Sequence, residues 1–443
     1  METFLIKALQ LILSLSILVI VHEFGHFIFA RIFKIRVEKF YLFFDAGFSL
    51  FKFKPKKGDT EYGIGWLPLG GYVKLAGMMD ESMDKEQLAQ PAKPWEFRSK
   101  PAWQRLLVML GGVLFNLILA IFILSMMVFA WGDTYIPYKN IKSGMEFSEV
   151  AKKIGFQDQD ILIDADGKEL RMRGSVLEMN TMMDFLDAKE VKVERGGKII
   201  SIPIPDYFAD EVIASKEPVY VPWVATIVDS LKDKSEAQRI GLQKGDSLIA
   251  INGLSTGSFF NFKKEMEKHK NDSIQLTYYR NGEKDTIKAL LDTAGTLGFY
   301  PKDPGGYKVQ TDRYGFFASF PVGVTKGVET LKGYVSQSRF IFSKEGVKNL
   351  SGFAGIGKMF PAKWNWEQFW TMTAFLSIIL AFMNILPIPL LDGGHIMFLL
   401  YEMIARRKPN EKFQEYAQMA GLFLILALLL VANGNDLLRA IFG

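Results

Sequence analysis

Four stretches of the chain are predominantly apolar: about Phe4 to Phe33, Leu106 to Trp131, Phe369 to Leu386 and Ala420 to Val431. A hydrocarbon core of roughly 30 Å is crossed by about 20 helical residues, so the pattern predicts four membrane spans with both termini on one side. The first run lacks the basic start, short apolar core and small-residue cleavage site of a secretory leader, and reads as a span. Lys and Arg crowd the segment between spans one and two (Arg31, Lys34, Arg36, Lys39, Lys52, Lys54) and the short one between spans three and four (Arg406, Arg407, Lys408, Lys412). By the positive-inside rule these two segments are cytoplasmic, and Gly132 to Asn365 lies outside with both termini.

The external stretch contains an internal repeat. Ile154–Gly167 reads IGFQDQDILIDADG and Ile240–Gly253 reads IGLQKGDSLIAING, with seven of fourteen positions identical at an offset of 86. Each copy has a turn, an aspartate, an alternating apolar strand and an Asp-Gly or Asn-Gly hairpin signal. The second copy resembles a bacterial PDZ domain and the first a divergent one, with Gln159 where the second has Gly245. The expected layout is residues 1–131 for spans one and two with an intervening loop over 34–101, PDZ-like domains at 132–218 and 219–303, a connecting segment at 304–365, and spans three and four at 366–443. Phe316 to Phe342 in the connecting segment has the apolar and basic residues of an amphipathic helix at the membrane surface.

Composition agrees with a chain partly in lipid and partly in water: 49% hydrophobic, 23% charged, mean hydropathy +0.11. There is no cysteine and there are only four histidines, so any metal is held by His, Asp or Glu. The net charge of +5 forms no basic stripe interleaved with aromatics, and nucleic acid is not an expected partner.

Those histidines sharpen the reading. His22-Glu23-Phe24-Gly25-His26 is an HExxH motif: on a helix the two imidazoles project from one face and can reach one zinc ion, while Glu23 can act as general base. Ionisable residues inside a span are costly and mark function. A catalytic zinc needs a third protein ligand, and the candidates lie in Asn384-Ile-Leu-Pro-Ile-Pro-Leu-Leu-Asp392-Gly-Gly-His395, where Pro387 and Pro389 break the third apolar segment; either Asp392 or His395 can ligate. His269 sits in a charged external run and reads as a solvated helix face. A PDZ scaffold without catalysis leaves the buried ligands unexplained, and a metal transporter requires more polar residues in spans two and four.

HEFGH in the first span, Asn384 through Asp392 at the third, and tandem PDZ-like domains between spans two and three resemble the bacterial site-2 metalloproteases of the RseP type, over essentially the whole chain. The resemblance implies a polytopic α-helical membrane protein of the bacterial cytoplasmic (inner) membrane, with four transmembrane helices, a membrane-associated β-hairpin or loop and two external PDZ-like α/β domains. It implies an intramembrane zinc endopeptidase in which His22, His26 and Asp392 bind Zn2+ and Glu23 is the base. His395 then packs without coordinating. Asn384, with Gly71 and Tyr72 of the membrane-dipping segment Glu61–Gly77, would hold the unwound substrate strand. Gly111-Gly112 and Asn116 match a family element for close helix packing. The implied substrates are single-pass membrane proteins, such as anti-sigma factors or remnant signal peptides, already cut outside by a site-1-type protease, with the PDZ-like pair acting as a size filter.

Overall fold

The computed structural model describes residues 2–56, 58–68, 70–78, 91–172, 178–215, 217–302, 307–341 and 352–442. Of the expected connecting segment, 304–306 and 342–351 lie outside the described residues. The chain forms two compact units, Met1–Asp133 with Asp312–Gly443, and Thr134–Thr311.

The first unit is helical, with α1 (Glu2–Ile32), α2 (Ala102–Trp131), α3 (Phe316–Ile341), α4 (Phe353–Met359), α5 (Trp366–Ile385), α6 (Asp392–Ala405) and α7 (Glu411–Phe442). Among the described residues four helices are long and apolar enough to cross a membrane: α1, α2, α5 and Lys412–Leu438 of α7. The four expected apolar runs therefore form helices, each longer than its run because flanking polar residues continue the backbone ladder. Helices α1 and α2 cross at Gly25 and Gly111, where a Cβ on either glycine would strike the other's carbonyl. Small residues at a crossing let two backbones meet, which is the main source of packing energy between helices in lipid. On its other side α2 packs against α5 through Ala120, Ile123, Leu124, Ala374 and Ile378.

The segment between α1 and α2 folds as a sheet of β1 (Val37–Leu42), β2 (Phe44–Phe53), β3 (Glu61–Leu67) and β4 (Tyr72–Leu75), in the order β2-β3-β1-β4. Glu61–Gly77, expected as a hairpin or loop, does not pair with itself. Its two strands straddle β1, β3 pairing with it in parallel and β4 antiparallel. Pro68, Gly70 and Gly71 separate β3 from β4 and let the chain cross over instead of turning back tightly. Val37 and Leu75 seal this sheet against α1, α2 and α6, packing with Ala30, Val108, Met109 and Leu399.

Helix α3 is not a solitary surface helix. Phe316 meets Phe129, Gly323 closes on Ser125, and Gly327 lies against Ile121 and Leu124, so α3 runs antiparallel along α2. Its Tyr334 ring then reaches Phe375 and Phe382 of α5. A buried Lys326–Asp133 ion pair at 2.6 Å ties the middle of α3 to the chain just past α2.

The second unit realises the repeat. One copy has β5 (Ile161–Ala165), β6 (Lys168–Glu169), β7 (Glu190–Arg195) and β8 (Lys198–Pro203), in the order β8-β7-β5-β6; the other has β9 (Ser247–Ile251), β10 (Leu254–Ser255), β11 (Ser273–Arg280) and β12 (Glu283–Leu290), in the equivalent order β12-β11-β9-β10. Arg195 makes a bidentate pair with Asp160 and also bonds the Gly155 carbonyl. Arg280 does the same with Asp246 and the Gly241 carbonyl. The hairpin turns match too, with φ of 51° and 79° at Asp166-Gly167 and 50° and 82° at Asn252-Gly253.

Candidate active site

The HExxH helix places His22 and His26 one turn apart on the buried face of α1. Their partner arrives from the proline-broken connection after α5. Helix α5 ends at Ile385, and Leu386–Leu391 curls through short carbonyl contacts before α6 begins at Asp392. Gly393 and Gly394 sit against the backbone of Ile385–Pro389, where no side chain fits. This fold-back carries Asp392 to the histidines.

Three side-chain atoms then converge. Asp392 Oδ2 is 3.2 Å from His22 Nε2 and 3.4 Å from His26 Nε2, and the two imidazole nitrogens are 3.3 Å apart. In a tetrahedral zinc site with bonds of about 2.0–2.1 Å, neighbouring donors are separated by about 3.3–3.4 Å, so the donor set fits that ion. The hydrogen bonding fits it as well. His26 Nδ1–H donates to the Val108 carbonyl at 2.8 Å, which leaves Nε2 with a bare lone pair. His22 Nδ1 lies 3.0 Å from the amide of Asn116; with its oxygen toward the ring the amide accepts Nδ1–H and bares Nε2 of His22 too. Two lone pairs and a carboxylate pointing at one another repel unless a cation lies between them.

The other expected site residues fall around this group. Asn384, at the end of α5, brings its amide to 3.4 Å from His22 Nε2. Glu23 follows His22 on α1 and faces Gly71, where a Cβ would lie 3.6 Å from Glu23 Cγ. Gly71 leads into β4, whose outer edge no described strand pairs. The Tyr72 ring stacks between Tyr41 and Phe44, and its hydroxyl donates to Asp45 Oδ1 at 2.9 Å. His395 is not in the three-residue group, and His269 belongs to the other unit. The choice left open between Asp392 and His395 is thereby a matter of position: the first residue of α6 meets the histidines. The sequence pattern undervalued Gly112, whose missing side chain makes room for both imidazoles; its only sequence signal was the Gly111-Gly112 pair.

A His-His-carboxylate group with a glutamate beside it, in a unit that has four helices long and apolar enough to cross a membrane, is the arrangement expected of a membrane metallopeptidase. The model of peptidase family M50 matches residues 10–428, and the chain belongs to that family. It is a metalloendopeptidase. Similar proteins match end to end: Protease RseP of Yersinia pestis at 29% identity over 462 residues (97% of each chain), the regulator of sigma-E protease RseP of Escherichia coli K12 at 27% over 465 (99% of this chain and 100% of that one), and Metalloprotease MmpA of Caulobacter vibrioides at 27% over 458 (98% and 96%). A solved PDZ domain from Listeria monocytogenes covers 18% of this chain and 90% of its own, at 21% identity and a TM-score of 0.17.

Proposed function

We propose that this protein is an intramembrane zinc endopeptidase that cleaves single-pass membrane proteins within their transmembrane segment after a first cut outside. The observation that carries the reading is the His22, His26 and Asp392 donor group at 3.2–3.4 Å, with both histidines on a helix of membrane-spanning character and Asp392 at the start of the short helix that follows another.

His22, His26 and Asp392 would hold the zinc ion, which would supply Lewis-acid chemistry at the scissile peptide. Glu23 takes a proton from the attacking water and delivers it to the leaving amide nitrogen. A helical peptide bond is shielded by its own hydrogen bonds, so the substrate must be extended first. The free edge of β4, entered through Gly71 beside Glu23, offers unpaired backbone groups to such a strand. Tyr72 stiffens that edge through its stack and its bond to Asp45, and Asn384 contributes its amide next to the metal group. On the far side of the sheet Phe48, Leu50, Phe51 and Phe53 are all more than half exposed, an apolar surface suited to lipid.

The assignment of the two repeated sheets as PDZ-like domains is supported by their shared strand order and matched Arg–Asp pairs. In this reading they lie outside the bacterial cytoplasmic membrane, as do both termini, and select substrates whose external part a site-1-type protease has shortened. Relatives are named for sigma-E regulation, so an anti-sigma factor is the first substrate class to test, with remnant signal peptides the second.

The decisive experiment compares wild type with Glu23→Gln for bound zinc and for cleavage of a tagged, externally truncated single-pass substrate. Zinc in both with cleavage only in wild type is expected; equal cleavage by the variant would remove Glu23 from the chemistry.

A further inference from the structure

Helix α6 brings Asp392 to the metal group with its first residue, so whatever shifts α6 shifts the carboxylate. The chain enters this helix from a strained connection: Leu390 has a φ of 94°, a backbone conformation that a bulky side chain rarely adopts. Strain of this kind persists only where the surroundings impose it. Gly393 and Gly394 seat the start of α6 against Ile385–Pro389, but that contact lies within the strained connection itself. A second restraint is needed further along the helix.

On α6 Asp392, Ile396, Leu399 and Glu402 follow one another at intervals of four, three and three residues, which places them along one face. On α2 Arg105, Val108, Gly112 and Asn116 form a matching stripe at intervals of three, four and four. The two stripes run antiparallel. Glu402 meets Arg105, Ile396 and Leu399 pack in one apolar cluster with Val108 and Met109, and Asp392 reaches the histidines that Gly112 accommodates. Apolar contact is non-directional and does not by itself choose a register. The ion pair is directional. Arg105 Nη2 donates to Glu402 Oε1, Arg105 Nε donates to the Lys100 carbonyl at 3.0 Å, and the guanidinium lies 6.0 Å from the centre of the Phe97 ring, so the cation is fixed from its own side. Both side chains are largely enclosed, at 11% and 16% exposure. An enclosed pair adds little net stability over apolar side chains of the same size, and setting a register is its best-attested use.

We propose that Arg105 and Glu402 are positioning residues that set the register of α6 on α2 and thereby hold Asp392 at His22 and His26. Glu402 lies about 15 Å along the helix from Asp392, and a slip of one residue at the pair moves the carboxylate by about 1.5 Å. The donor atoms of the metal group are only 3.2–3.4 Å apart, so a displacement of that size opens it. The consequence for zinc rests on the proposed peptidase reading; the register itself does not.

The sequence has no cysteine, so spin labels can be placed uniquely at Leu114→Cys on α2 and Ile404→Cys on α6, both exposed. Their separation is measured by pulsed electron paramagnetic resonance in the full-length, metal-free protein in lipid vesicles, and zinc affinity by chelator competition in the unlabelled protein. Glu402→Gln is expected to shift the label distance by about 1.5 Å or more, the rise of one residue. It is expected to weaken zinc binding about tenfold, the lower end for residues that orient ligands from outside the donor set. The exchange of Arg105→Glu with Glu402→Arg, which restores the pair in reverse, is expected to recover both. Should Glu402→Gln fold poorly, Arg105→Lys, which keeps the charge and loses the planar fork, is read in its place with the same shifts expected. A pair that only stabilises the fold would lower the thermal midpoint and leave the label distance and zinc affinity of the folded variant unchanged, and that result overturns the proposal. A shifted distance in a protein whose wild type binds no zinc overturns the peptidase reading and upholds the register.

Discussion

Gly112 of α2 faces His26 so closely that a Cβ built on it would lie 2.5 Å from His26 Nε2 and 2.6 Å from His22 Cε1. The glycine is therefore part of the cradle that lets two imidazoles, set nearly perpendicular to each other, close on α2. Gly112→Ala is expected to displace the rings and cut proteolysis about a hundredfold, since misplacement of a reacting group by about 1 Å is that costly. Zinc content by atomic absorption should fall with it. Full zinc and full activity in this variant would show that the cradle is slack.

Asn116 fixes the orientation of the His22 ring from outside the donor set. Partners of this kind typically contribute 10–100-fold in metal affinity. Asn116→Leu should weaken zinc binding by about that range, read by competition with a chelator. Asn116→Asp, which keeps an acceptor facing Nδ1–H, should recover most of the affinity.

In the second unit the Asp246 carboxyl is held below the usual carboxylate range: burial pushes it up, but the bidentate Arg280 and the Gln243 N–H outweigh that. A lowered folded pKa contributes stability that is present above the unfolded value of about 3.9 and is lost as pH falls through the folded one. Arg280→Ala strands a buried carboxylate and should cost about 3 kcal/mol at pH 7. Urea unfolding should show that deficit shrinking as pH falls from 7, first as the stranded Asp246 takes up a proton above the unfolded value of about 3.9 and then, below it, as wild type loses the contribution of its own pair.

Glu146 gives the opposite sign. Burial raises its carboxyl above the usual range, with Asp158 adding and Ser258, Lys152 and Lys264 opposing. The folded state then holds the proton more tightly, so stability is lost as pH rises from the unfolded value of about 4.3 through the folded one. Glu146→Gln should stabilise the unit by about 1 kcal/mol at pH 8 and by nothing at pH 4, measured as a shift in the urea midpoint. A loss of stability at pH 8 would show that the charged form is favoured at this position.

Much of this molecule is written locally. The long apolar runs specify four helices because length and hydropathy alone decide whether a segment can cross lipid. The i, i+4 spacing of His22 and His26 specifies a shared face because the helical period is local. The repeat specifies two copies of one sheet, down to Asp160 and Asp246. Even Gln159, without glycine's freedom, adopts φ of 72° beside the 96° of Gly245, because the surrounding copy imposes the turn. Other features depend on pieces far apart in sequence. Whether Asp392 or His395 meets the histidines depends on how Pro387 and Pro389 fold the chain back against Gly393 and Gly394. That β3 and β4 flank β1 instead of pairing with each other, and that α3 lies along α2, follows from which surfaces close on which. Gly112 and Asn116 acquire their meaning only where α2 crosses α1. Periodicity fixes a side chain's direction on its own element; close packing between elements decides what that side chain meets.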